Sequence, residues 1–240
     1  MLPIIVIPAR LDSSRLPNKL LLDDTGQPLI FHAIRNACDS SLAKSVVVAS
    51  EDQKILDIVS NSFHVPDVIT FLTPKCASGT ERVSWVANRL VGDVDVIINL
   101  QGDEPELSGA QIDYLIQNLL NDSTSDVSTF VVDASKDDYE SPNVVKVVAD
   151  HGGNAMYFSR CSIPHGSDTA LKHIGAYAYR MDFLVALKAM EETTLQCESL
   201  EQLQWLQSGF RVKLVELDAD LSGIDTRAEY DAFVARFLDD

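Results

Sequence analysis

Between positions 8 and 19 the chain reads Pro8-Ala9-Arg10-Leu11-Asp12-Ser13-Ser14-Arg15-Leu16-Pro17-Asn18-Lys19, which gathers three cations and two hydroxyls in one short stretch. A triphosphate needs such a set. Guanidinium forks and an ammonium neutralise phosphate oxygens, and the N–H groups of a turning loop add oriented donors. A solvated basic loop has the same composition, so the weight of this stretch depends on its neighbours.

Three further stretches carry chemical potential. Ser78-Gly79-Thr80-Glu81-Arg82 has the form of a helix start, with Ser78 as cap and Arg82 on the first turns; a cap and a ligand contact are both open there. Asn99-Leu100-Gln101-Gly102-Asp103-Glu104-Pro105 leaves an apolar run. Gly102 permits a close turn, and Asp103 offers a hard oxygen of the kind magnesium takes when it also holds substrate phosphates. Gly223-Ile224-Asp225-Thr226 leads into a helical pattern, where Asp225 reads either as an N-cap or as a second carboxylate beside Asp103.

The elements that must place these stretches follow from periodicity. Residues 4–8 form a β-branched apolar run ending in a turn, which predicts a buried first strand with the cationic loop at its C-terminal end. Leu29, Ile30, Ala33, Ile34 and Ala37 recur at helical spacing behind Pro28. Residues 45–49 read as a strand, 52–60 as a helix, 95–100 as a strand and 111–120 as a helix. Strands are expected over 127–132, 143–149, 173–180 and 212–217, with an irregular stretch over 162–172. Helices are expected over 183–190, 199–207 and 226–237. Such alternation predicts an α/β fold with a mostly parallel sheet covered on both faces. Ligands in these sheets sit beyond the strands' carboxyl ends, where the loops after Ile7 and Leu100 both lie.

Composition narrows the function. With 36 acids against 19 bases the formal charge is -17, which excludes general attraction to nucleic acid or to an anionic membrane surface. A small anionic substrate must be held by a local basic patch or enter with a divalent cation. Cys38, Cys76, Cys161 and Cys197 form no CxxC pair, so they are expected to be reduced thiols. The N-terminal apolar stretch is too short for a signal peptide, and a cytoplasmic location is expected.

In order along the chain stand IPARLDSSRLPNKLL, SGTER, NLQGDEP, NVVKVV, YFSR, HIGAYAYR, SLEQL and GIDT. Together they resemble the 3-deoxy-manno-octulosonate (Kdo) cytidylyltransferases, almost end to end. The family pattern opens with IPARxxSxRLPGKPL and continues with SGTER, NxQGDEP, NxVKVV, YFSR, HIGxYxYR, SLEQL and GxDT. The resemblance implies the three-layer, Rossmann-like nucleotide-diphospho-sugar transferase fold, present as one domain over 1–240, with residues of about 124–219 contributing a sugar-binding and dimerisation lobe. It also implies a homodimer working in lipopolysaccharide synthesis on CTP and an acidic eight-carbon sugar, with magnesium as cofactor.

Carried over by position, Pro8, Ala9, Arg10, Arg15, Lys19, Ser78, Arg82 and Gln101 are expected to bind CTP. Arg15, Lys19 and Asp103 would carry the catalysis, and Asp103 with Asp225 would hold magnesium. Gln101, Arg160, His173, Tyr177, Glu201 and Gln202 would hold the sugar, with Arg160 as the partner of its carboxylate.

The chain departs from the pattern in three places. Asn18 replaces the glycine before the lysine, and asparagine can adopt positive φ there. The segment 164–172 is shorter than in many relatives, and Thr193-Thr194-Leu195-Gln196 stands where a proline and a glutamate are usual. The last two keep an 8-amino relative of Kdo open as acceptor. Two rivals fit less well. A sialic-acid cytidylyltransferase would show a different phosphate loop, and a glycosyltransferase would show a DxD motif where Gln101-Gly102-Asp103 stands. A nucleotide-binding relative with little activity is the reading from outside the enzyme class.

Overall fold

The computed structural model describes residues 3–13, 15–63, 67–90, 94–187, 198–219, 221 and 223–239. Strands β1 (Ile4–Ala9), β2 (Val46–Ser50) and β4 (Val96–Leu100) are buried along nearly their whole length. Their side chains alternate between two cores. Ile5, Ile7, Val48, Ile98 and Leu100 face α1 (Leu29–Cys38), α2 (Gln53–Ser62) and α4 (Gly109–Asn121). Ile4, Val6, Val47 and Ile97 face α3 (Gly79–Ala87), α6 (Met181–Ala186) and α7 (Glu201–Gln207). Helices therefore cover both faces, which is why these strands are continuous apolar runs rather than alternating ones.

The strand order is β3-β2-β1-β4-β8-β5-β9, with β3 at Val68–Leu72, β5 at Val127–Asp133, β8 at Leu171–Arg180 and β9 at Val212–Glu216. β1 pairs parallel with β2 and β4, β2 with β3, and β5 with β9. β8 alone in this row runs antiparallel, between β4 and β5. Its outer half also pairs with β6 (Lys146–Ala149), which pairs in turn with β7 (Ala155–Ser159). A short helix, α5 (Lys136–Glu140), precedes β6. α8 (Arg227–Asp239) returns the chain to its beginning: Tyr230 and Phe233 pack with Leu16, Leu29 and Ile224 in a third apolar cluster.

The sequence expectations hold for most elements. β3, β7 and the short α5 lie outside the predicted elements. Within the expected strand 143–149, β6 begins only at Lys146: Val145 still accepts from the His173 N–H at 2.9 Å, but residues 142–144 turn, and the buried Lys146 ammonium holds the carbonyls of Ser141 and Val144 at 2.7 and 2.8 Å. The helix expected over 183–190 is described from Met181 to Ala186, and residues 188–190 lie outside the described residues, as do 193–196. Cys38, Cys76 and Cys161 are free thiols, and Cys197 lies outside the described residues. Among the described residues no helix is long and apolar enough to cross a membrane.

Candidate active site

The parallel strands deliver the loops after β1 and β4 to the same edge of the sheet, over a cleft of about 440 Å³. Every expected site residue lines it: Pro8, Ala9, Arg10, Arg15, Lys19, Ser78, Arg82, Gln101, Asp103, Arg160, His173, Tyr177, Glu201, Gln202 and Asp225.

The loop after β1 is pinned by Leu11, whose N–H donates to Asp52 Oδ2 at 2.9 Å. Asn18 takes the left-handed conformation, φ 56°, and starts a 3-10 turn over Lys19–Leu21. The asparagine thus supplies the backbone geometry that glycine usually gives, a region where Asn is enriched among side-chain-bearing residues. Its consequence is to turn Lys19 inward. The Lys19 ammonium donates to Asp103 Oδ2 at 2.5 Å, Asp225 Oδ1 at 2.8 Å and the Ile224 carbonyl at 2.8 Å. Burial pulls its pKa down, but the Asp103 and Asp225 carboxylates more than reverse this and leave it above the ordinary lysine value. Arg15 reaches Asp225 Oδ2 at 2.6 Å in a half-exposed pair, which adds on the order of 0.2–1 kcal/mol at most.

Asp225 is free to turn into the cleft because another residue caps the helix. Thr226 Oγ1 accepts from the Glu229 N–H at 3.3 Å, and Glu229 Oε2 accepts from the N–H groups of Asp225 and Thr226 at 2.8 and 2.7 Å. The two carboxylates that sequence leaves apart therefore meet on one ammonium.

Glu104, which sequence reasoning passed over, sits behind them. Burial first, and the Asp103 charge second, push its carboxyl up to about 8, so it is mostly protonated at neutral pH. Two glycines make room for it: a Cβ on Gly223 would lie 2.8 Å from Glu104 Oε1, and one on Gly175 would lie 3.3 Å away. Its position directly after Asp103, and these two distant glycines, are the only signals, and the second is invisible without the fold.

Asp103 and Asp225 offer hard oxygens, and no third His, Cys, Asp or Glu joins them in a cluster among the described residues. That donor set fits magnesium, which is commonly held by one or two carboxylates while substrate phosphates and water complete its shell.

At the start of α3, Ser78 accepts from the Glu81 N–H at 3.1 Å, so of the two roles the sequence left open the cap forms, while Ser78 also lines the cleft. The Ser78 hydroxyl also donates to Glu201 Oε1 at 2.5 Å, and Thr80 donates to Glu201 Oε2 at 2.7 Å. One carboxylate thus bridges α3 to α7. The buried Arg82 guanidinium pairs with Glu51 and donates to Thr73, residues that follow β2 and β3. Burial and then the neighbouring Arg10 lower its pKa.

The far wall comes from β8, β7 and the start of α7. His173 borders the cleft, is bonded to Thr129 at 2.9 Å and is pushed down to about 3 by burial, so it stands as a neutral imidazole. Tyr177 is hydrogen-bonded by Gln202, and burial raises its pKa well above the ordinary phenol value. The Arg160 guanidinium touches the carbonyls of Pro142, Asn143 and Glu198 at 3.3–3.4 Å through Nε and Nη1. The cleft therefore joins a cationic entrance, a paired-carboxylate centre and a wall of hydrogen-bonding groups that includes one carboxylate, Glu201, and one guanidinium, Arg160, a set suited to joining a nucleoside triphosphate to a polyhydroxylated acid.

Comparison with known proteins agrees with this geometry. The Cytidylyltransferase family profile matches residues 4–217. A 3-deoxy-manno-octulosonate cytidylyltransferase of Chlorobium phaeobacteroides is 40% identical over 235 residues, covering 94% of this chain and 93% of that protein. One from Geobacter metallireducens is 37% identical over 248 residues, covering 96% of each. The structure of a CMP:2-keto-3-deoxy-manno-octonic acid synthetase complexed with CTP superposes with a TM-score of 0.90 at 34% identity, over 100% of this chain and 99% of that one.

Proposed function

The chain belongs to the 3-deoxy-manno-octulosonate cytidylyltransferase family, and on that premise we propose that it transfers CMP from CTP to the anomeric hydroxyl of Kdo, releasing pyrophosphate. The observation that carries the reading is the 40% identity over 94% of the chain to a relative of that name, combined with a cleft lined by every residue that the family motifs place there.

The sugar's anomeric hydroxyl gives up its proton to water and its oxygen forms a bond to the α-phosphorus as the bond from that phosphorus to the pyrophosphate oxygen breaks. Little covalent work falls to the protein. Arg10, Arg15 and Lys19 bind and orient the triphosphate, and their fixed positive charge offsets the charge that grows on the leaving pyrophosphate. Asp103 and Asp225 would hold magnesium, which when bound would neutralise and align phosphate oxygens. Protonation of Glu104 leaves two carboxylates facing Lys19 and Arg15, so the centre is locally balanced rather than strongly anionic.

On the acceptor side, Arg160 pairs with the sugar carboxylate, and Gln101, neutral His173, Tyr177, Glu201 and Gln202 orient hydroxyl groups. A homodimer in the cytoplasm, with residues of about 124–219 supplying sugar-binding and dimer surface, completes the reading. Family resemblance supports that part. The 8-amino analogue of Kdo is the second acceptor, favoured by the short 164–172 segment.

Phosphorus NMR of the reaction tests the chemistry. Loss of the three CTP signals with appearance of one phosphodiester and pyrophosphate is expected; persistence of CTP with Kdo and magnesium present contradicts it.

A further inference from the structure

Lys146 is wholly buried, yet no carboxylate among the described residues lies within hydrogen-bond distance of it. Its ammonium donates instead to three backbone carbonyls, Ser141 at 2.7 Å, Val144 at 2.8 Å and Arg160 at 2.7 Å. A buried ammonium among neutral acceptors costs far more desolvation than a methionine or leucine of similar volume. Packing alone does not call for it.

What it does is visible in the backbone around Arg160. The Arg160 carbonyl is taken by Lys146, and the Arg160 N–H donates to Glu198 Oε2 at 2.6 Å. Glu198 is anchored on the same strand end by the Ser159 hydroxyl, at 2.9 and 3.1 Å to its two oxygens. One residue's peptide groups are thus held on both sides by charged side chains of opposite sign. By drawing in Ser141 and Val144, Lys146 also sets the turn whose Pro142 and Asn143 carbonyls lie at 3.4 and 3.3 Å from Arg160 Nη1. The Glu198 carbonyl lies 3.4 Å from Nε. Nη2 makes no hydrogen bond among the described residues, and Arg160 lines the cleft.

We propose that Lys146 and Glu198 are positioning residues that clamp the Arg160 backbone, fixing its guanidinium toward the cleft and so setting the enzyme's preference for an acidic acceptor. The inference rests on the reading of Arg160 as the partner of the sugar carboxylate. Neither residue touches the nucleotide side of the cleft, so the clamp acts on one substrate alone. A small displacement of a charge-recognising group is enough to lose most of its effect.

The test uses the full chain with Kdo and its neutral 1-carboxamide as acceptors. In the parent protein, Kdo is preferred over the amide by about a hundredfold in kcat/KM. Glu198→Ala and Lys146→Met each raise the KM for Kdo about tenfold, leave the KM for CTP within about twofold, and shrink the acid-over-amide preference. Glu198→Gln restores much of the preference, because its amide oxygen still accepts from the Arg160 N–H. A merely structural role moves both KM values together and leaves the preference intact, and that result overturns the clamp. If Lys146→Met does not fold, the two Glu198 variants decide alone, since Glu198 holds Arg160 independently through its N–H. Arg160→Ala separates the two layers. A preference that survives it removes the carboxylate reading and the clamp's role with it. A preference lost in Arg160→Ala but kept in Glu198→Ala overturns the clamp while leaving Arg160 in place.

Discussion

The Lys19 ammonium lies 2.8 Å from the Asp225 carboxylate, and the same ammonium lies 2.5 Å from Asp103. Lys19 thereby joins the cationic loop to both candidate metal ligands. Lys19→Met keeps the side chain's length and removes its charge. Turnover is expected to fall about a hundred- to a thousandfold, on the order of 3–4 kcal/mol, with the KM for Kdo little changed. Steady-state pyrophosphate release measures both; a change confined to KM places Lys19 in binding rather than in catalysis.

Asp103→Asn removes one charged oxygen donor from the centre. Turnover at limiting magnesium should drop by about a thousandfold, roughly 4 kcal/mol of transition-state stabilisation. Asp225→Asn should act in the same direction, and both variants should need more magnesium for half-maximal rate. Near-normal turnover at limiting magnesium takes the substituted aspartate out of the metal site.

His173 gives a pH signature. Its pKa is lowered to about 3 by burial, whereas the unfolded chain titrates near the ordinary histidine value of about 6.5. Between those values the unfolded state binds a proton that the folded state refuses, so this group removes stability as pH falls below about 6.5. His173→Gln should narrow the drop in melting temperature between pH 7 and pH 5, read by thermal unfolding at both values. An unchanged drop means the imidazole is solvated enough to titrate normally.

Gly109 opens α4 beside the end of α1, and an added Cβ there would lie 2.5 Å from the Asp39 carbonyl carbon and 2.6 Å from its oxygen. Backbone cannot yield as a flexible side chain can. Gly109→Ala is expected to lower stability by about 1–3 kcal/mol in urea unfolding, while kcat/KM below the transition stays near the parent value. A variant as stable as the parent contradicts the close approach.

The readable parts of this chain are those where one local pattern decides the outcome. β1, β2 and β4 are apolar because helices cover both sheet faces, and Ser78 before Glu81 caps a helix wherever that helix packs. β3 and β7 escaped because their burial is partial: Ile69, Leu72 and Met156 are exposed, so neither presents the continuous run of a buried strand. The strand expected over 143–149 starts late, at Lys146, because a buried charge rather than periodicity shapes the turn before it. At the centre, sequence supplied Asp103 and Asp225 singly. Their meeting depends on α8 returning to the loop through Tyr230 and Phe233, and on Thr226 taking the cap that Asp225 was equally suited to fill. Glu104 and its two glycines are a contact among three remote segments, which local pattern does not encode.

Pyrophosphate release from CTP and magnesium, compared across Kdo, its 8-amino analogue, N-acetylneuraminate and no acceptor, with EDTA as control, tests the central claim most directly. The expected result is release that requires Kdo or its 8-amino analogue, is lost with EDTA, and is absent with N-acetylneuraminate or without acceptor. Release independent of the acceptor, or none with any of the four, contradicts it.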